Sequence, residues 1–145
     1  MSVSSIELVE SATDPASEVI LDGLRAFNEA HLGRSARPVA LTVYVRGDAG
    51  EVQGGLTGHY LWEWLYVDKF WISESLRGAG VGSAVLARAE DWAVARGARW
   101  SHLQTLDFQA LPFYERHGYE VYGVLDDYPP GGKRYHLRKT LPRPE

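Results

Sequence analysis

Apolar residues at Val19, Leu21, Leu24, Phe27 and Ala30 follow helical spacing, and they predict a helix from about Pro15 to His31. Asp14 ahead of Pro15 is a good N-cap followed by a first-turn proline. The "GRSARP" stretch, Gly33 to Pro38, then breaks the helix. A second helical pattern is clearer. Val81, Val85, Leu86, Ala89, Trp92 and Ala93 lie on one side, Arg88, Asp91 and Arg96 face away, and Gly97 offers a stop. Other segments read as strands: "SIELVE" (5–10), "VALTVYVRG" (39–47), "RWSHLQTL" (99–106), "YEVYGVL" (119–125) and "RYHLRKTL" (134–141). The long run 52–72 holds two strands with a reversal near Tyr60–Trp64. "QALPFYERHG" (109–118) reads as a short helix and "DDYPPGGK" (126–133) as a turn. The order strand, helix, break, three strands, helix, strand, helix, two strands predicts a mixed α/β domain around one sheet.

The 145 residues predict a single domain, 1–145, large enough to bury a core without staples. A net charge of −4 argues against broad nucleic-acid or anionic-membrane binding, since either wants a basic surface. The chain has no cysteine, which excludes disulfides, thiolate zinc sites and a cysteine nucleophile. Its first residues lack a basic segment followed by an apolar run, and no stretch approaches about 20 apolar residues. A cytoplasmic protein is expected. His31, His59, His117 and His136 do not stand at metal-ligand spacings, so no metal is expected.

Ahead of the second helix, Arg77 is followed by Gly78, Gly80 and Gly82. Glycines cost conformational entropy, so three in five residues mark a sharp turn or a close approach. A helix N-terminus preceded by glycines presents free N–H groups at the positive end of the dipole, a ready site for phosphate, with Arg77 at the rim. The plainer alternative is a tight strand-to-helix turn. Two phosphate loops are rejected. The dinucleotide fingerprint fails at Ser83, and a P-loop over Gly50–Thr57 has Leu56 where its lysine must be.

A third pattern fits. Arg77-x-x-Gly80-x-Gly82 resembles the loop of the GCN5-related N-acetyltransferase (GNAT) superfamily. "FWISESLRG" upstream resembles the family's fourth strand running into that loop. "DFQALPFYERHGYE" downstream resembles the second signature, with Ala110, Tyr114, Gly118 and Tyr119 in register and Asp107 in place of the usual Asn. The motifs cover roughly Tyr66 to Tyr128, and the element order extends the likeness over nearly the whole chain.

The resemblance implies a mostly antiparallel sheet whose central strands splay, and an acetyl-CoA-dependent N-acetyltransferase. Backbone from Gly78 through Ala79, Gly80, Val81, Gly82 and Ser83 would cradle the pyrophosphate, with side chains on Gly80 or Gly82 obstructing its approach. Backbone near Phe70, Trp71 and Ile72 would pair with pantetheine amides, and Asp107 and Ala110 would complete the cofactor side. Tyr114 holds the position of the general acid that protonates the departing thiolate; otherwise it is a packed helix residue with a wet hydroxyl. Asp68 is the leading base, on the same strand parity as Tyr66, Phe70 and Ile72, with Glu63 and His102 as further candidates. Direct attack by a primary amine of a small molecule or protein is simpler than an acyl-enzyme, although a serine nucleophile stays open. Asp126 and Asp127 either attract a cationic amine or start a turn. The aromatic run Tyr60, Trp62, Trp64, Tyr66, Phe70 and Trp71 is mostly sheet packing, with some exposed Trp left to line an acceptor pocket or a dimer contact. Lys133, Arg134, Arg138 and Lys139 mark an exposed last strand. Two alternatives stand beside the enzyme: a non-catalytic acyl-CoA binding or sensing domain, and an interaction domain whose glycines only turn the chain. A homodimer is plausible, and the acceptor is set by loops that vary too freely to read.

Overall fold

In residues 2–143, which the computed structural model describes, the backbone divides into two units with the boundary between Arg37 and Pro38. In the first, the Asp14 carboxylate accepts from the Ala16 N–H (3.0 Å) and caps a short 3-10 turn, Pro15–Ser17. That turn runs into α1, Glu18–Leu32, which ends at Gly33 in the left-handed region (φ 67°). The strand expected at residues 5–10 does not form. Alternation makes a strand only where a neighbour supplies the ladder, and no strand pairs with this segment.

The second unit runs β1 (Val39–Arg46), β2 (Val52–Leu61), β3 (Trp64–Ile72), α2 (Val81–Ala95), β4 (Trp100–Leu106), α3 (Leu111–Arg116), β5 (Glu120–Asp126) and β6 (Lys133–Thr140). Its six strands form one sheet in the order β1-β2-β3-β4-β6-β5. Every neighbouring pair is antiparallel except β3 with β4. The expected reversal falls at Trp62 and Glu63, both at positive φ (51° and 70°), a two-residue turn whose twist suits the strands it joins.

One face of the sheet carries the core. Leu56, Leu65, Val67, Leu103 and Leu137 pack with Val85, Leu86, Ala89 and Ala93 of α2, all buried. These are the α2 positions whose period marked them as inward. Of the basic residues expected to mark an exposed last strand, Lys133 and Arg138 are exposed while Arg134 and Lys139 are half-buried. β6 inserts between β4 and β5, and its cations are engaged: Arg138 with Glu120, Lys133 with Asp126, and Lys139 with Glu90. Strand order is a long-range property that charge along one strand does not report.

Glu90 is a buried acid on the apolar side of α2. Its Oε1 accepts from Lys139 Nζ (2.8 Å) and its Oε2 from the Tyr119 hydroxyl (2.7 Å). With that proton spent, the Tyr119 oxygen accepts from Ser101 Oγ at 2.7 Å. Burial first, then the neighbouring Glu90 charge, push the Tyr119 phenol well above its ordinary range. The chain of contacts ties α2 to β4 and β6. Removing the cation leaves a buried carboxylate half-satisfied, so Lys139→Met is expected to cost about 2–3 kcal/mol in urea unfolding. That corresponds to a fall of roughly 5–10 °C in Tm.

Candidate active site

β3 and β4 run side by side for only three pairs: Trp64 with Trp100, Leu65 with Ser101, and Tyr66 with His102. A bulge marks where they part. Thr57 pairs with Lys69 and Gly58 with Val67, which leaves Asp68 as the extra residue of β3. Gly58 permits the close approach, since a Cβ there would lie 2.2 Å from the Tyr66 carbonyl oxygen.

The bulge also corrects the expected parity. An extra residue flips every later side chain to the other face. Phe70 and Ile72 therefore join Leu65 and Val67 against the core, while Tyr66 faces the opposite side with His59 and His102. Beyond Tyr66, β3 keeps only its β2 partner and β4 only β6. The two freed edges bound a cleft of about 860 Å3. This is the splay the sequence motifs predicted.

At one end of the cleft stands the glycine loop. Gly78 and Gly80 take left-handed φ values of 85° and 77°, which explains glycine at both. Gly80 is the N-cap of α2 and no side chain caps that end. The first intrahelical bond is Ala84 N–H to the Gly80 carbonyl, so the N–H groups of Val81, Gly82 and Ser83 have no acceptor within the helix. A Cβ added at Gly80 would meet nothing within 4 Å, whereas one at Gly82 would touch the Phe113 ring at 3.4 Å. Arg77 folds back, its Nε donating to the Ile72 carbonyl (3.1 Å). That bond pins the loop to the end of β3 and occupies one edge acceptor.

All the predicted residues of β3, the loop and α3 line this cleft except Ala79 and Asp107. Asp107 instead fastens β4 to β6: its carboxylate accepts from the Lys133 N–H (3.1 Å), and its own N–H donates to the Lys133 carbonyl (3.0 Å). Asp126 ends β5, and Asp127 opens the β5–β6 turn. Asp126 pairs with Lys133, and Asp127 accepts from the Gly131 N–H (3.2 Å). Glu63 sits in the β2–β3 turn, where its carbonyl takes the Arg99 N–H, and it lines no part of the cleft.

Tyr114 is buried, its ring set edge-on to Phe70 and Phe113. Burial pushes its phenol up to about 12, so it holds its proton at any physiological pH. Asp68 lines the cleft at the bulge, its carboxylate half-exposed and paired with Lys69 at 2.9 Å. His102 lies outside the cleft, in a second concavity of about 400 Å3 on the opposite face, with His59, Trp62, Trp64, Tyr66 and Tyr122 among its walls. Burial, and then the neighbouring His59, lower its pKa and hold it neutral at pH 7. The two concavities meet at one hydrogen bond, from the Tyr66 hydroxyl to Gln104 Oε1 (2.8 Å), Gln104 itself lining the cleft.

Three features in or beside the cleft carried no advance signal. Gln104 was read only as a strand residue, although alternation along β4 places it on the same face as His102. Phe113 forms the wall against Phe70 (ring centroids 5.9 Å apart). His117, expected only to stand at no metal-ligand spacing, bonds to Ser83 in the first turn of α2 at 2.9 Å. Among the described residues no group of His, Asp or Glu is arranged to hold a metal, and no helix is long and apolar enough to cross a membrane.

Residues 7–119 match the family model for the acetyltransferase (GNAT) family. A blasticidin-S acetyltransferase of Streptomyces morookaense is 39% identical over 97% of this chain and 99% of its own length. An acetyltransferase of Agrobacterium fabrum is 37% identical over 81% of this chain and 85% of its own. The crystal structure of an acetyltransferase from Bacillus cereus superposes with a TM-score of 0.80 at 31% identity, covering 93% of this chain and 98% of that one. The splayed strands, the glycine loop and these relatives agree: the chain belongs to the GNAT family and is an acetyl-CoA-dependent N-acetyltransferase.

Proposed function

We propose that the cleft between β3 and β4 binds acetyl-CoA and that its acetyl group passes directly to a primary amine in a ternary complex. The observation that carries this is the shared lining of one cleft by the uncapped start of α2, the free edge of β3, and Tyr114. The whole chain, 1–145, is read as one such domain. The N–H groups of Val81, Gly82 and Ser83 take the pyrophosphate, helped by the dipole of a 15-residue helix. The β3 edge at Phe70 and Trp71 offers backbone groups to the pantetheine amides, as an added strand would. Phe70 and Phe113 wall the thioester from water.

Asp68 receives the ammonium proton, directly or through one water, so that a neutral amine attacks the carbonyl carbon. The C–N bond forms as the C–S bond breaks, Tyr114 gives its proton to the sulfur, and the proton the nitrogen sheds as the amide forms returns to the phenol, directly or through water. Tyr66 and Gln104 mark the opening toward the outer sheet face, where the acceptor enters. One observation favours a second reading of the base: His102 is held neutral beside that opening and has the right form to take a proton. Tyr114 counts against the non-catalytic domain, which has no use for a proton donor there.

The test is thiol release from acetyl-CoA with a panel of amines, blasticidin S first because a whole-length relative is named for it. Initial velocities are expected to intersect when both substrates vary. Asp68→Asn is expected to lower kcat/KM by about 10²-fold or more without weakening acetyl-CoA binding. An acid limb that persists in Asp68→Asn and disappears in His102→Gln moves the base to His102. No turnover with any amine, despite acetyl-CoA binding, returns the chain to the binding-domain reading.

A further inference from the structure

We propose that His117 is a positioning residue for the acyl donor, its proton deciding whether Ser83 offers the pyrophosphate a hydrogen or a lone pair. The inference rests on the pyrophosphate placement argued above. His117 closes α3, and its two ring nitrogens are both engaged. Nδ1 lies 2.8 Å from the Phe113 carbonyl oxygen, and Nε2 lies 2.9 Å from Ser83 Oγ. A carbonyl only accepts, so Nδ1 carries a hydrogen in either protonation state.

The consequence falls on Ser83, the third residue of α2 and part of the cleft lining. With a neutral imidazole, Nε2 accepts the Ser83 proton, and the hydroxyl turns lone pairs toward the cradle. With an imidazolium, Nε2–H donates to Ser83 Oγ, and the hydroxyl proton is released to a phosphate oxygen. A positive charge then also stands one residue-length behind the cradle. Anion binding and protonation of His117 therefore favour each other, and the coupling is reciprocal.

The surroundings do not override this. Phe113 covers the imidazole, with ring centroids 4.4 Å apart. The charged groups on the packed elements include Arg77 on the loop, Arg88, Glu90 and Asp91 along α2, Glu115 and Arg116 on α3, and Lys139 of β6. Lys139 is held by Glu90, and Arg77 by the Ile72 carbonyl. Among the described residues none of these hydrogen-bonds to the imidazole. Histidine is the side chain whose charge changes between about pH 5 and 8.

The sign is fixed: affinity for the pyrophosphate rises as pH falls. A probe that keeps the pyrophosphate but lacks the titrating 3′-phosphate, dephospho-coenzyme A, isolates the effect. Calorimetry at pH 8 and pH 5.5 is expected to show roughly 10-fold tighter binding at the lower pH, the scale of one hydrogen bond gained by a charged acceptor. Proton uptake should accompany binding near the midpoint. His117→Gln, which cannot titrate, is expected to bind equally at both pH values, and Ser83→Ala to lose most of the difference. Equal affinity of the wild-type protein at both pH values overturns the proposal, as does a pH dependence that survives in His117→Gln. Loss of binding in His117→Gln with an unchanged melting curve also overturns it, because the imidazole would then be a fixed strut. Wild-type protein that binds neither dephospho-coenzyme A nor acetyl-CoA at any pH instead removes the pyrophosphate placement itself.

Discussion

Tyr114→Phe is expected to lower kcat by about 10²-fold or more while the Kd for acetyl-CoA changes less than about threefold. The ring is what packs, edge-on between Phe70, Phe113 and Tyr119, and phenylalanine keeps it. Only the proton is lost. A phenol raised to about 12 by burial looks too weak an acid for a thiolate whose ordinary value is about 8.5. At about 1.4 kcal/mol per unit the transfer is uphill by roughly 5 kcal/mol if the thiolate stays in water. In the cleft it does not. The same burial that disfavours tyrosinate disfavours thiolate, which narrows the gap and makes a protonated neighbour the more valuable. The raised pKa has a second consequence. The folded state prefers the neutral phenol, so this contribution to stability is intact below pH 10 and lost as the pH climbs toward 12. No alkaline limb below about pH 11 should belong to Tyr114. Equal kcat in the phenylalanine variant would leave solvent to protonate the leaving thiolate.

What could be read in advance divides along physical lines. The α2 face was legible because its apolar residues keep a 3.6-residue period, and the loop because Gly78 and Gly80 need φ values that other residues avoid. Tyr114 and Ala110 were legible through a motif, and the structure brings both to the cleft. Parity along β3 was misread because a bulge is invisible to a period-2 count, and Asp68 is itself the residue that breaks the count. The strand at residues 5–10 was misread because alternation says nothing about whether a partner exists. The basic residues of β6 pointed to an exposed strand because they were seen without Glu90 and Glu120, which lie far away in sequence. Glu90 itself left a trace: it falls on the same helical stripe as Leu86 and Ala93, where an acid needs a buried partner. The roles of His117 and Gln104 left none, since each depends on a neighbour more than thirty residues away.

The central claim is that the glycine loop exists to hold the pyrophosphate of acetyl-CoA, and calorimetry on three proteins tests it directly. Wild type is expected to bind acetyl-CoA with a Kd in the micromolar range, the lower part of usual substrate affinities. Gly80→Ala carries the strain of a Cβ at φ 77° but meets open space, so it should lose stability by about 1 kcal/mol and keep most of its affinity. Gly80→Glu carries the same strain and adds a carboxylate beside the free N–H groups of α2, where it competes with the phosphates; binding should fall below detection while the protein remains folded. If Gly80→Glu, folded, binds acetyl-CoA as tightly as Gly80→Ala, the loop is only a turn into α2 and the pyrophosphate lies elsewhere.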